Sequence, residues 1–222
     1  MTALNRNNLS LIALLIGGFA ANAANAQDDQ RWYGTASVGF GNLASSTLTY
    51  SDGTSTSSAD ADYETSFAGG GTLGYRFASG WNLEGEIMYR RNELDPISIA
   101  GLGDFTEGDF ASLSFGVNAL YRFQFGNSGK WSGYAGPGVV YLQEIDIDFE
   151  VDGQETSFET DDIAFQLKFG TRYDFNERWF IDAGATYFIA DGVEMEFPAD
   201  RSQTITSDYE HWNLQLGAGF RF

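Results

Sequence analysis

The sequence predicts an all-β protein: an eight-stranded antiparallel up-and-down transmembrane β-barrel, with short periplasmic turns and long acidic extracellular loops. Three observations predict it. A unit of about 50 residues occurs four times, opening at Trp32, Trp81, Trp131 and Trp179, and a period of that size marks a repeated supersecondary unit. Each unit closes on an aromatic–charged–aromatic triplet: Tyr75-Arg76-Phe77, Tyr121-Arg122-Phe123, Tyr173-Asp174-Phe175 and Phe220-Arg221-Phe222. The hop from each triplet to the next tryptophan is short, whereas the path from tryptophan to triplet is long and acidic. Between these landmarks apolar and polar residues alternate with the period of two that defines a strand.

The strands follow in order. The first places Trp32, Ala36, Val38 and Phe40 on one face, and the second Phe67, Leu73, Tyr75 and Phe77. In the third, Trp81, Leu83, Gly85, Ile87 and Tyr89 oppose Asn82, Glu84, Glu86, Met88 and Arg90. The fourth lines up Leu113, Phe115, Val117, Tyr121 and Phe123. The fifth, near 131–143, is blurred by Pro137 and by the pair Val139-Val140. In the sixth, Ile163, Phe165, Leu167, Phe169, Tyr173 and Phe175 oppose Gln166, Lys168, Gly170, Arg172 and Asp174. The seventh sets Trp179, Ile181, Ala183, Ala185, Tyr187 and Ile189 against Asp182, Gly184 and Thr186. In the last, Trp212, Leu214, Leu216, Ala218, Phe220 and Phe222 oppose His211, Asn213, Gln215, Gly217, Gly219 and Arg221.

A soluble sandwich would turn the apolar faces inward, whereas a membrane barrel turns them to lipid. Strand length near the 9–11 residues of a bilayer crossing, aromatics gathered at strand ends and strictly alternating loop lengths favour the barrel. Closure also leaves no unpaired edge in lipid. Residues 1–26 read as a signal peptide, with Arg6, the apolar run Leu9–Ile16 and the small-residue site Ala24-Asn25-Ala26 before Gln27. That run is too short for a membrane-spanning helix. Residues 27–222 then form one domain. The formal net charge is −19, with 31 acidic and 12 basic residues and no cysteine. Such acidity argues against nucleic acid, and the lack of cysteine excludes a disulfide framework.

On these residues the chain resembles the small eight-stranded outer-membrane barrels of Gram-negative bacteria, the OmpA/OmpX-like and opacity-protein-like group. The resemblance covers residues 27–222. It implies residence in the cell outer membrane among its lipids and lipopolysaccharide, and insertion by the barrel-assembly machinery through a last strand ending in Phe222. A monomer is expected. Unlike the two-domain members of the group, the chain ends at Phe222, so no periplasmic peptidoglycan-binding domain is expected.

Eight strands enclose an interior that side chains can fill. The inward positions hold Arg76, Arg90, Arg122, Lys168, Arg172 and Arg221 with Glu84, Glu86, Asp174 and Asp182. Buried charges need partners, so these groups are expected to plug the lumen as ion pairs, with Arg76 or Arg90 neutralising Glu84 and Glu86. The alternative is a narrow porin-like channel lined by charge.

The remaining acids fall in the long connections: Asp52, Asp60, Asp62 and Glu64; Glu93, Asp95, Asp104, Glu107 and Asp109; Glu144 to Asp162; and Asp191, Glu194, Glu196, Asp200 and Asp208. They read as a solvated outer surface, or as a surface for divalent cations or a basic partner. Asp148 to Glu159 nearly fits a calcium loop. However, Glu150 breaks the pattern, and the alternation of Ile145, Ile147, Phe149 and Val151 predicts a protruding β-ribbon turning near Asp152. No catalytic, cofactor or metal site is assigned. His211, the single histidine, reads as a lumen hydrogen-bonding residue, and Asn213 stands where a His-x-Ser pair would need serine. The expected role is non-enzymatic, either structural in the envelope or adhesin-like through the loops.

Overall fold

The computed structural model describes residues 31–151 and 154–222. The expected signal peptide 1–26, and the point near Asp152 where a turn is expected, lie outside the described residues. The elements are β1 (Trp32–Leu43), β2 (Ser46–Ser51), β3 (Thr56–Ala61), β4 (Thr65–Arg76), β5 (Trp81–Leu94), β6 (Ile97–Ile99), β7 (Gly103–Phe105), β8 (Glu107–Phe125), β9 (Trp131–Val151), β10 (Gln154–Asp174), β11 (Trp179–Phe197) and β12 (Asp200–Arg221).

Eight of them pair in the order β1-β4-β5-β8-β9-β10-β11-β12, and β12 returns to β1 to close the barrel. The other four form hairpins in the first two long connections. One of these, β2–β3, joins the sheet where β2 pairs with β12 beyond the end of β1. The β6–β7 hairpin stands apart from the sheet.

The repeat is explained by register. Trp32, Trp81, Trp131 and Trp179 lie directly opposite Tyr75, Tyr121, Tyr173 and Phe220 across their ladders. The ring centroids of these pairs are 5.0, 5.4, 4.9 and 4.8 Å apart, the spacing of favourable edge and tilted aromatic contacts. Each repeat therefore closes on itself with one aromatic pair, and four such pairs ring the end that carries the short turns.

The apolar faces point outward: Val38, Phe40, Phe67, Leu83, Val117, Ile163, Phe165 and Leu214 are exposed, and Leu216 is 67 % exposed. In water such a surface would be unstable, and in lipid it is the matching one. The blurred fifth strand resolves cleanly. Val139 points out and Val140 in, and Pro137 sits on the outer face. The β8–β9 ladder is interrupted between Asn118↔Gly138 and Tyr121↔Ala135, around Pro137, which has no N–H to donate.

Toward the long-loop end the strands invert their polarity. Outward residues change from Tyr89 to Arg91 and Glu93 on β5, from Ile163 to Asp161 and Glu159 on β10, and from Trp212 to Glu210 and Asp208 on β12. Inward residues change from polar to apolar over the same steps. Leu94, Phe110, Ile145, Ile147, Phe149, Phe158, Val193, Met195, Ile205 and Tyr209 form a buried core above the lumen. Leu48, Tyr50 and Tyr63 join it from the first long connection, and Ile97, Ile99 and Phe105 from the β6–β7 hairpin. Ser57 Oγ donates to the Ala100 carbonyl at 2.5 Å and ties this hairpin to β3.

On two strands a β-bulge makes the inversion possible. On β9 the register slips by one residue around Gln143, so Leu142 and Ile145 both point inward. On β11 it slips between Ala190 and Val193, and both of these point inward as well. Gly192 carries that bulge at φ 64°, a conformation that glycine adopts without strain, and its N–H donates to Asp208 Oδ1 at 2.8 Å.

The structure corrects the reading of the long connections. Many of their described acids are exposed as expected, whereas Asp109, Asp146, Asp148, Asp162 and Glu196 are half-buried, and the connections are largely continuations of the barrel wall around an apolar core. The expected free ribbon of β9 and β10 is flanked by β8 as far as Glu150, through Glu107↔Glu150. The described residues of the calcium-loop stretch are also strand: Asp148 opposes Ser157, and Asp146 opposes Glu159.

Candidate functional site: an ion-paired lumen beneath an apolar cap

The lumen is built in layers, beginning at the short-turn end. The middle residues of the four triplets, Arg76, Arg122, Asp174 and Arg221, come from β4, β8, β10 and β12, alternate strands around the barrel. Arg122 Nη2 lies 3.1 Å from Asp174 Oδ2, and its Nε donates to Ser132 Oγ at 2.9 Å. Arg221 pairs with Asp174 Oδ1 and donates to the Glu177 carbonyl at 3.2 Å.

Above this layer the side chains span the lumen. Arg172 on β10 grips Asp182 on β11 through Nε–Oδ1 at 2.7 Å and Nη2–Oδ2 at 2.9 Å, the parallel fork that guanidinium and carboxylate geometry favours. Its guanidinium lies 3.9 Å from the Phe180 ring centroid and 4.6 Å from that of Tyr33. Tyr33 donates its hydroxyl to Glu84 Oε1 at 2.6 Å. Lys168 Nζ then bridges Glu84 Oε2 at 3.0 Å and Glu86 Oε2 at 2.8 Å. These contacts tie β1, β5, β10 and β11 together across the interior. Two glycines make room for the rings, since a Cβ at Gly74 would collide with Tyr33 and one at Gly219 with Phe180.

Higher still, Gln166 Nε2 donates to Asn118 Oδ1 at 2.5 Å and to Glu86 Oε1 at 3.3 Å. Arg90, 1 % exposed, donates to Ser114 Oγ at 2.9 Å and lies 5.0 Å from the Phe188 ring centroid. His211 is fully buried, with Nε2 3.0 Å from Ser66 Oγ. The apolar cap begins directly above.

All ten charged residues assigned to the interior face it. The expected pairing does not hold: Lys168, with Arg172 behind it, neutralises Glu84 and Glu86, in place of Arg76 or Arg90. Arg76 sits at the open end of the barrel, and Arg90 points up to Ser114. Lys168 instead reaches the two carboxylates from a non-adjacent strand across the narrow interior. Tyr33, Tyr134, Phe180 and Phe188 also face inward, and sequence reasoning missed them. Their signal was parity alone, since Phe180 and Phe188 share the even-numbered face of Asp182 and Thr186. Among the described residues no cluster of three histidine or acidic side chains forms a metal centre.

This geometry can carry load and exclude solvent. It offers no ground on which to seat a substrate beside the Ser66–His211 contact, because both side chains are enclosed.

Comparison with known proteins agrees with the architecture. The family model described as "Outer membrane protein beta-barrel domain" matches residues 11–222. Among solved structures, OprG from Pseudomonas aeruginosa is similar at 20% identity and TM-score 0.57, covering 88% of this chain and 99% of that one. Neisserial surface protein A is similar at 16% identity and TM-score 0.51, covering 86% and 97%. At these identities the likeness is one of fold. No curated protein matches the sequence.

Proposed function

The chain belongs to the outer membrane β-barrel domain family and resides in the cell outer membrane, and from that premise we propose that it is a closed, non-enzymatic barrel acting through its outer surface. The observation that carries this reading is the Lys168 bridge to Glu84 and Glu86 together with the Arg172–Asp182 fork, which cross the lumen beneath an apolar cap. A water-filled path would have to part several buried ion pairs that now fill the lumen.

The function then lies outside the lumen. The wall above the lipid carries exposed acids on every side, among them Asp60, Glu93, Asp161, Glu194 and Asp208. In this reading it stiffens the envelope, or presents an adhesive surface to a partner of opposite charge. A single closed sheet has no free barrel edge, which supports a monomer. Insertion through the barrel-assembly machinery is assigned to the last strand, whose end at Phe222 donates to the Trp32 carbonyl at 3.0 Å. Residues 1–26 are proposed as the cleaved signal.

The test is conductance of the refolded protein in a planar bilayer. Silence is the expected result. Regular, salt-dependent opening would replace this reading with that of a narrow channel.

A further inference from the structure

The charged layer at the short-turn end does not balance. It holds three guanidinium groups, Arg76, Arg122 and Arg221, around one carboxylate, Asp174. Asp174 is fully engaged, with Arg122 on one oxygen and Arg221 on the other. The Arg76 guanidinium, half-buried at the mouth, makes no ion pair among the described residues. The groups share one layer: Arg76, Arg122, Asp174 and Arg221 stand on alternate strands at the same end of the barrel, with Arg122 and Arg221 on the strands that flank that of Arg76 at this spacing.

A second ring lies just outside the first. The backbone N–H groups of Arg76, Arg122, Asp174 and Arg221 donate to the carbonyls of Arg31, Gly80, Lys130 and Arg178 at 2.8 to 2.9 Å. These four residues each precede the tryptophan that opens a repeat, so the repeat stacks two basic rings at one mouth. The turns between strands there contribute only Glu177 as an acid. Counting also Asp28 and Asp29, which precede Arg31 in the sequence, six basic residues stand against four acids, an excess of positive charge in a chain whose net charge is −19.

We propose that this mouth is a binding site for a phosphate-class oxyanion. The layer carries two positive charges in excess, matching a dianion. Guanidinium forks present paired N–H donors that fit phosphate oxygens. Arg76 supplies the uncommitted fork, Arg122 and Arg221 flank it, and the outer ring attracts the anion toward the mouth. The source is a free phosphate or the headgroup of a phospholipid on the periplasmic side.

The experiment is isothermal titration of the refolded protein in a phosphate-free glucoside detergent, at constant ionic strength. One arm titrates inorganic phosphate against chloride, and the other titrates a short-chain phosphatidic acid, whose phosphomonoester headgroup can carry the same double charge. Saturable phosphate binding, weakened about tenfold or more by Arg76→Gln and unchanged by Arg91→Gln on the opposite end, supports the site with a free anion. Saturation by the lipid alone, with the same dependence on Arg76, supports it with a headgroup. Arg76→Gln breaks no ion pair among the described residues, and heat-modifiable migration on a gel confirms that the variant is folded. Titrations in which neither ligand differs from chloride, or in which Arg76→Gln binds as well as the parent, overturn the proposal.

Discussion

Arg172 and Asp182 are directly opposed in the β10–β11 ladder and are joined by two parallel hydrogen bonds of 2.7 and 2.9 Å. The same guanidinium packs against the rings of Phe180 and Tyr33, which stand edge to face 6.0 Å apart, so it is held by charge on one side and by aromatic contact on others. Removing either partner leaves a charge enclosed without its counterpart.

Arg172→Ala should therefore destabilise the barrel by about 3–5 kcal/mol. Guanidinium unfolding in detergent, followed by tryptophan fluorescence, measures this. A loss under about 1 kcal/mol would mean that the fork is solvated.

Lys168→Met leaves Glu84 and Glu86 facing each other without their shared cation. The expected result is a less stable barrel with more frequent conductance events. Adding Glu84→Gln and Glu86→Gln should recover most of the loss, since an uncharged set has no orphaned ion. A triple variant as unstable as Lys168→Met would show that the lysine acts through packing.

Phe149 is fully buried in the cap, 4.7 Å from the Phe105 ring and 6.3 Å from Phe158. Phe149→Ala should cost about 3–5 kcal/mol locally and loosen the β6–β7 hairpin that Phe105 anchors. Limited proteolysis should then cut near residues 95–106 while the membrane-embedded strands stay intact. Unchanged digestion would count against the hairpin as a packed part of the cap.

Deleting Gly192 removes the extra residue of the bulge on β11 and leaves Ala190 and Val193 two positions apart, so strict alternation keeps Val193 and Met195 inside. The cap should stay closed to a hydrophobic dye, whereas inserting one residue beside Gly192 should turn both side chains outward and admit the dye. Dye binding by the deletion variant would refute the bulge as a one-residue correction of phase.

Asp52 caps the β2–β3 turn. The N–H of Ser55, then the N–H and hydroxyl of Thr54, hold its carboxyl well below the usual carboxylate range. Its folded-state pKa is depressed. Its contribution is therefore present above the ordinary carboxylate range and is lost only as pH falls through the lower folded value. Amide shifts of Thr54 and Ser55 should stay native at pH 3.5, and a transition near pH 4 would refute the cap.

The eight crossing strands and the ten lumen charges are legible in the sequence because lipid rewards one strict alternation and a narrow interior rewards its complement. The partners are not legible. Lys168 meets Glu84 only once closure sets β10 across from β5, and strand alternation carries no such information. The cap was hidden for a different reason. Between Tyr141 and Ile145, and again between Ala190 and Val193, one extra residue breaks the phase, so the apolar residues beyond it look misplaced or ribbon-like. Leu94, Ile205 and Tyr209 lie on strands that keep their phase, yet their inward side changes chemistry at the membrane surface.

The inversion of polarity along each strand also fixes how deeply the protein sits. Like a hull with its waterline painted on, β5, β10 and β12 each mark one level, between Tyr89 and Arg91, Ile163 and Asp161, and Trp212 and Glu210. Sinking the barrel by one residue pair would drag a ring of carboxylates toward hydrocarbon, a penalty that grows with depth. Raising it would lift Ile163 and Trp212 into water, which costs about 25 cal/mol for each Å² of apolar surface exposed. The capped half is thereby held clear of the bilayer at a constant height, whatever it meets there.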